Sequence, residues 1–159
     1  MLYVVAWPLL AEADDTALRR LRAQYHPKEA DLIGPHFTLV FGAKADREAE
    51  LRSGLDGVRR RPFWFMIDRI ARHGLYLFAE PSDGTAELTE LYEALNPAPG
   101  GEPFEPHITL GRFGAAPDAE QVARIVERQH LPIRGRVEKL ALLRRDGDRL
   151  ETLSTVALG

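Results

Sequence analysis

"DLIGPHFTLVFG" at 31–42 and "FEPHITLGRFG" at 104–114 share Pro-His-x-Thr-Leu and, a little further on, Phe-Gly. Their histidines are 107 − 36 = 71 positions apart. Two further matches fall in nearly the same register. "LYVVAWPL" at 2–9 resembles "LYLFAEPS" at 75–82, an offset of 75 − 2 = 73, and "ARHG" ending at Gly74 resembles "RRDG" ending at Gly147, again 73 apart. Self-similarity at a fixed offset marks an internal duplication. The chain therefore reads as one domain, 1–159, made of two repeats of approximately 1–74 and 75–159.

Each repeat carries the same run of signals. A β-rich stretch comes first, followed by a helical stripe: Leu18, Leu21 and Tyr25 in one repeat, Leu88, Leu91 and Leu95 in the other. A loop bearing Pro or Gly leads into the His-x-Thr strand. A second helix follows, on Leu51, Leu55 and Val58 or on Val122, Ile125 and Val126, with Asp118 and Gln121 spaced as a capping box in the second repeat. The extended runs "PFWFMIDRIA" and "GRVEKLALL" then turn at Gly74 and Gly147 into a further strand. The pattern predicts an α+β fold of two pseudo-symmetric lobes. Each lobe is a small antiparallel sheet with helices on its outer face, and the site lies in a cleft between them.

The totals bound the function. At 159 residues, 45% hydrophobic and 28% charged, the chain is long enough to bury a core. It has no cysteine, which removes disulfides and thiolate metal sites and fits a reducing, cytoplasmic setting. "MLYVVAWPLL" is broken by Pro8 and is far too short to span a membrane, so no membrane partner is expected. With 21 basic against 24 acidic residues the net charge is −3, so no global basic field holds a long polyanion.

On a strand, His36 and Thr38 share one face while Phe37 and Leu39 share the other; His107 and Thr109 oppose Ile108 and Leu110 in the same way. Two such polar pairs facing each other give two imidazoles and two hydroxyls around one volume. In-line displacement at phosphorus needs a base for the attacking water, an acid for the departing oxygen, and donors for the non-bridging oxygens. His and Thr supply all three, with neither metal nor cofactor. A strand without chemistry would more cheaply carry Val or Thr at the His position.

"PHFTLVFG" and "PHITLGR" resemble the paired His-x-Thr signature of the 2H phosphoesterase superfamily, and "TLGR" is similar to the bacterial and archaeal members known as 2′-5′ RNA ligases or RNA 2′,3′-cyclic phosphodiesterases. The resemblance spans nearly the whole chain. It implies a two-lobed enzyme that opens a 2′,3′-cyclic phosphate to a 2′-phosphate, with His36 and His107 as the acid/base pair and Thr38 and Thr109 on the phosphate. It also implies that His107 activates water and His36 protonates the leaving oxygen, an assignment that the residues themselves leave open. Reversible 2′-5′ ligation, or cleavage of a 2′-5′ linkage, would use the same site, and a binding module for terminal phosphates is a further alternative. The short chain and its negative charge favour a small substrate: a nucleoside cyclic phosphate, an oligonucleotide end or ADP-ribose cyclic phosphate.

Around the motifs, Arg112 offers a planar fork for phosphate, and the extra residue before Phe113 suggests a bulge there. Phe104 and Trp7 are placed to stack on a base. His26, His73 and His130 read as solvated loop residues, "FWFMI" at 63–67 as strand core, and "RRR" at 59–61 as the cationic end of a helix. Nothing in the chain names a protein partner, and a monomer is expected.

Overall fold

The computed structural model describes residues 1–98 and 100–159. The two motif strands behave as their alternation demands: Phe37, Leu39, Ile108 and Leu110 are buried, while His36, Thr38, His107 and Thr109 are half-exposed on the other face. In chain order the elements are β1 (Leu2–Leu10), α1 (Glu12–Tyr25), α2 (Pro27–Leu32), β2 (Phe37–Ala43), a 3-10 turn (Ala45–Arg47), α3 (Glu48–Asp56), β3 (Phe63–His73), β4 (Tyr76–Asp83), α4 (Thr85–Leu95), β5 (Ile108–Arg112), α5 (Ala116–His130), β6 (Ile133–Asp146) and β7 (Arg149–Ala157).

All seven strands belong to one sheet of order β1-β2-β5-β4-β3-β6-β7, and every pairing is antiparallel. An added β1–β6 pairing closes six of them into a ring, with β7 continuing outward from β6. Exchanging β1 with β4, β2 with β5 and β3 with β6 maps the ring's pairings onto themselves. The sequence pattern predicts two small sheets; the strands join in one, because β3 and β6 pair from Phe63↔Val137 to Ile67↔Ile133 while β2 and β5 meet at Phe37↔Ile108. Measured against the expected bounds of 1–74 and 75–159, the β1–β6 and β3–β4 pairings cross between the two stretches as well.

An α-helix is about 10 Å across, and even an eight-strand barrel has room inside only for side chains, so the helices lie outside the ring. Leu18 of α1, Leu51 and Leu55 of α3, Leu88, Leu91 and Leu95 of α4, and Ala119, Ala123 and Val126 of α5 form one core with the outward strand residues. Each fully buried leucine contributes roughly 2 kcal/mol. A small second cluster, Val5, Ala141 and Leu143 with Tyr3, Trp7 and Ile33 against it, lies on the inner face.

Two local details differ from the sequence reading. The α2 helix occupies what reads as a loop; Pro27 opens it, where a missing N–H costs nothing. Helix α5 begins at Ala116 with Pro117 in its first turn, so Asp118 lies inside the helix and makes no capping bond. Within β3, Phe63, Phe65 and Ile67 are buried while Trp64 is exposed, the strand core with outward members exposed that the sequence predicts. At the end of α3, Arg59 donates to the carbonyls of Asp56 and Val58. No helix among the described residues is long and apolar enough to cross a membrane.

Candidate active site

The single β2–β5 pair, Phe37↔Ile108, sits at the centre of the polar face. Extending that antiparallel register by one residue in each direction sets His36 against Thr109 and Thr38 against His107. All four side chains then share the inner face, on either side of that pair. The flanking strands repeat the arrangement: Val5 pairs with Thr38 and Ala6 with Phe37, as Phe78 pairs with Thr109 and Ala79 with Ile108.

Both imidazoles are oriented by the same backbone device. The Nδ1–H of His36 donates to the carbonyl of Gly34, and that of His107 to the carbonyl of Glu105, each at 2.8 Å. A carbonyl only accepts, so Nδ1 carries the hydrogen and Nε2 is left for a substrate or water.

Their surroundings differ. The edge of Trp7 meets the His36 ring at 6.3 Å between centroids, whereas Phe78 lies flat on His107 at 3.6 Å and 11°. His73 stacks on Phe78 at 4.8 Å and approaches the buried carboxylate of Glu80 at 3.2 Å; Glu80 also holds Arg69. Burial drives His36 down to about 4, and the Arg22 cation adds to that fall while the bond to the Gly34 carbonyl and the Glu29 carboxylate oppose it. Burial lowers His107 as well, but there the Glu80 and Glu105 carboxylates oppose it. The cationic form is therefore easier to reach at His107.

Arg22 is the side chain that the sequence reading missed. Only 2% exposed, it reaches from α1 to both motifs: Nε donates to the carbonyl of Thr109 at 3.2 Å and a terminal nitrogen to that of Ile33 at 2.6 Å. It fills the gap where β2 and β5 part. Its position inside the stripe Leu18, Leu21, Arg22, Tyr25 was the available signal, since a charge at i+4 on a buried face must be spoken for.

The other candidates are distributed as follows. The strand register slips between Leu77↔Gly111 and Phe78↔Thr109, which is the irregularity expected beside Arg112. Gly111 is needed there, because a Cβ would lie 2.4 Å from that of Tyr25. Arg112 is exposed, sits over the Tyr76 ring at 5.8 Å, and borders a groove of about 930 Å³ with Tyr25, His26 and Arg145. Phe104 stacks on Tyr92 of α4 at 4.2 Å and packs on the main core, so Phe78 and Trp7 are the rings against the histidines. His73 stands at the end of β3 rather than in a loop. Its ligand atom and those of Glu80 and Glu105 lie within 4.8 Å of one another, a grouping that sequence spacing hides; a cation there would compete with Arg69 for Glu80.

A family model for the 2′-5′ RNA ligase superfamily matches residues 9–149. No curated protein matches the chain. Among solved structures, E. coli LigT complexed with 3′-AMP superposes with a TM-score of 0.68 at 21% identity, covering 99% of this chain and 97% of that one. The same protein complexed with NADP+ gives 0.67 at 21% identity, covering 99% and 96%. A structure described only as a phosphoesterase gives 0.65 at 20% identity, covering 99% and 97%. These likenesses show a shared fold.

Proposed function

The chain belongs to the 2′-5′ RNA ligase superfamily, and on that premise we propose that it hydrolyses a 2′,3′-cyclic phosphate, on a nucleotide or an RNA end, to a 2′-phosphate without a metal. The observation that carries this reading is the crossing at Phe37↔Ile108, which gathers two histidines with free Nε2 atoms and two threonines on one face. Nε2 of His36 takes a proton from water as the water oxygen bonds to phosphorus. The bond to the 3′ oxygen breaks, and His107 gives that oxygen its proton. The Thr38 and Thr109 hydroxyls donate to the non-bridging oxygens, where a lost donor costs about 10²- to 10³-fold.

This division of labour is the opposite of the one that the family resemblance implies. It follows from the deeper lowering of His36, by burial and the Arg22 cation against the Glu29 carboxylate, and the lesser lowering of His107, where the Glu80 and Glu105 carboxylates oppose burial. Arg112 lies three residues along from Thr109 and the Tyr76 ring beneath it two along from Phe78, where a nucleoside or a second phosphate would rest. That E. coli LigT forms complexes with 3′-AMP and with the dinucleotide NADP+ supports a ligand of nucleotide size.

The four nucleoside 2′,3′-cyclic monophosphates, incubated with the protein in excess chelator, test the reading. Turnover to the 2′-monophosphate is the expected result. No turnover of these or of cyclic-phosphate RNA ends would refute it, and joining of RNA ends through a 2′-5′ bond would place the chain among the ligases.

A further inference from the structure

Among the described residues Trp64 is the largest apolar side chain left exposed, and it does not stand alone. Leu9 of β1, Arg136 of β6 and Trp64 of β3 form one cross-strand row, with Leu9 58% and Trp64 64% exposed. Directly paired residues point to one face of a sheet, and Trp7 lies two residues before Leu9, so the row shares the inner face with the histidines. The surface between them is continuous: His36 stands beside Trp7, Trp7 beside Lys139, and Leu9 follows Trp7 along β1. On the opposite face, the neighbouring row of Leu10, Gly135 and Phe65 closes tightly, since a Cβ on Gly135 would fall 2.4 Å from the Phe65 ring and 2.6 Å from Leu10. The exposed row is therefore carried on a rigid seam.

The Arg136 guanidinium lies over the Trp64 ring, 5.5 Å from its centroid, and Glu138 approaches its Nε at 3.2 Å without making a hydrogen bond. Among the described residues Lys139 and Arg134, both exposed on the same face, form no ion pair. The next row, Asp83, Met66 and Arg134, carries a carboxylate at its head, which turns an anionic strand toward Arg136 and Lys139 instead. These cations supply locally the field that a net charge of −3 denies the whole chain. A cyclic phosphate closes the 3′ end of a strand, so the rest of the strand leaves from the 5′ oxygen of the last ribose. Three strand spacings of about 4.8 Å and one two-residue step at about 3.3 Å per residue put Trp64 roughly 16 Å from His36 along the sheet. A stacked strand, advancing about 3.4 Å per nucleotide, covers that in about five nucleotides. Resting on the function proposed above, we infer that the row of Leu9, Arg136 and Trp64 is a subsite for the single-stranded RNA that precedes the cyclic phosphate, with a base stacked on Trp64 and phosphates held by Arg136 and Lys139. Aromatic platforms beside cations are how sequence-tolerant single-strand sites are built. The preferred substrate is then an RNA end of several nucleotides rather than a mononucleotide.

Oligonucleotides from one to about six residues long, each closed by a 2′,3′-cyclic phosphate and assayed with the full chain in excess chelator, test this. The expected kcat/KM rises with length and levels off once the strand reaches Trp64. Trp64→Ala should cost the longest strand about tenfold, the scale of one base stacked on an aromatic ring, mostly through KM, and leave the cyclic mononucleotide unchanged. Arg136→Gln should lower the salt dependence of KM for the longest strand by about 0.7 in slope, the share of one phosphate on a single strand, and carries the test if Trp64→Ala does not fold. Equal kcat/KM for the mononucleotide and the longest strand, or a Trp64→Ala loss that falls on both alike, would overturn the inference and leave the proposed function standing. A wild-type dimer that Trp64→Ala converts to a monomer would also overturn it, by making the row a contact between two copies. If no cyclic phosphate is turned over, fluorescence anisotropy of the same strands ending in a 2′-phosphate decides alone. A Kd about tenfold weaker in Trp64→Ala would then support the subsite while the proposed function falls, and an unchanged Kd would overturn both.

Discussion

Alanine at His36, or at His107, is expected to cut turnover of a cyclic phosphate by about 10²- to 10⁴-fold while leaving the fold intact, the range for loss of one general acid or base. Both side chains lie half-exposed on the inner face, so the truncation opens no sealed cavity. The double variant should be little worse than either single one. Acid and base serve the same displacement, and residues that act as a unit lose their effect together. Steady-state rates with one cyclic nucleotide, and thermal melts to show that each variant is folded, check this. A single variant that keeps more than about a tenth of the rate would remove that histidine from the mechanism.

Arg22→Leu should have the largest effect on stability. The substitution leaves the carbonyls of Thr109 and Ile33 without their donor, at about 1–3 kcal/mol each. Relief of the burial that already lowers the proton affinity of Arg22 offsets part of this. A net loss of about 2–4 kcal/mol is expected, which lowers Tm by roughly 5–15 °C in a domain of this size. Arg22→Lys should recover only part, because one ammonium cannot fork to two carbonyls as a guanidinium does. Denaturant melts measure the loss; a change below about 1 kcal/mol for Arg22→Leu would show that the bracket between the two motifs carries little.

The inner face was legible because His and Thr alternate with Phe, Leu and Ile along two short strands. The closure of the sheet was not. It depends on which backbones meet, and "PFWFMIDRIA" would read the same as an edge strand or as the partner of "GRVEKLALL". Arg22 was overlooked because helix periodicity sorts residues by polarity and passes over a cation whose partners are carbonyls on another strand. Glu80 was visible as the mismatch with Trp7 in the aligned repeats. Its contacts needed the strand pairing, since Arg69 and His73 reach it from β3.

One neutral and one protonated histidine acting together give the pH dependence of wild-type kcat/KM for a cyclic nucleotide a definite shape. This quantity reports the free enzyme. The rate should rise as His36 gives up its proton, near 4, and fall as His107 gives up its own below the usual histidine value of about 6.5. The maximum then lies on the acid side of neutrality, with activity already declining at pH 7. A bell with two single-proton limbs and an acidic optimum is the predicted result. A rate that is flat from pH 4 to 8, or that has one limb only, would contradict the paired-histidine mechanism.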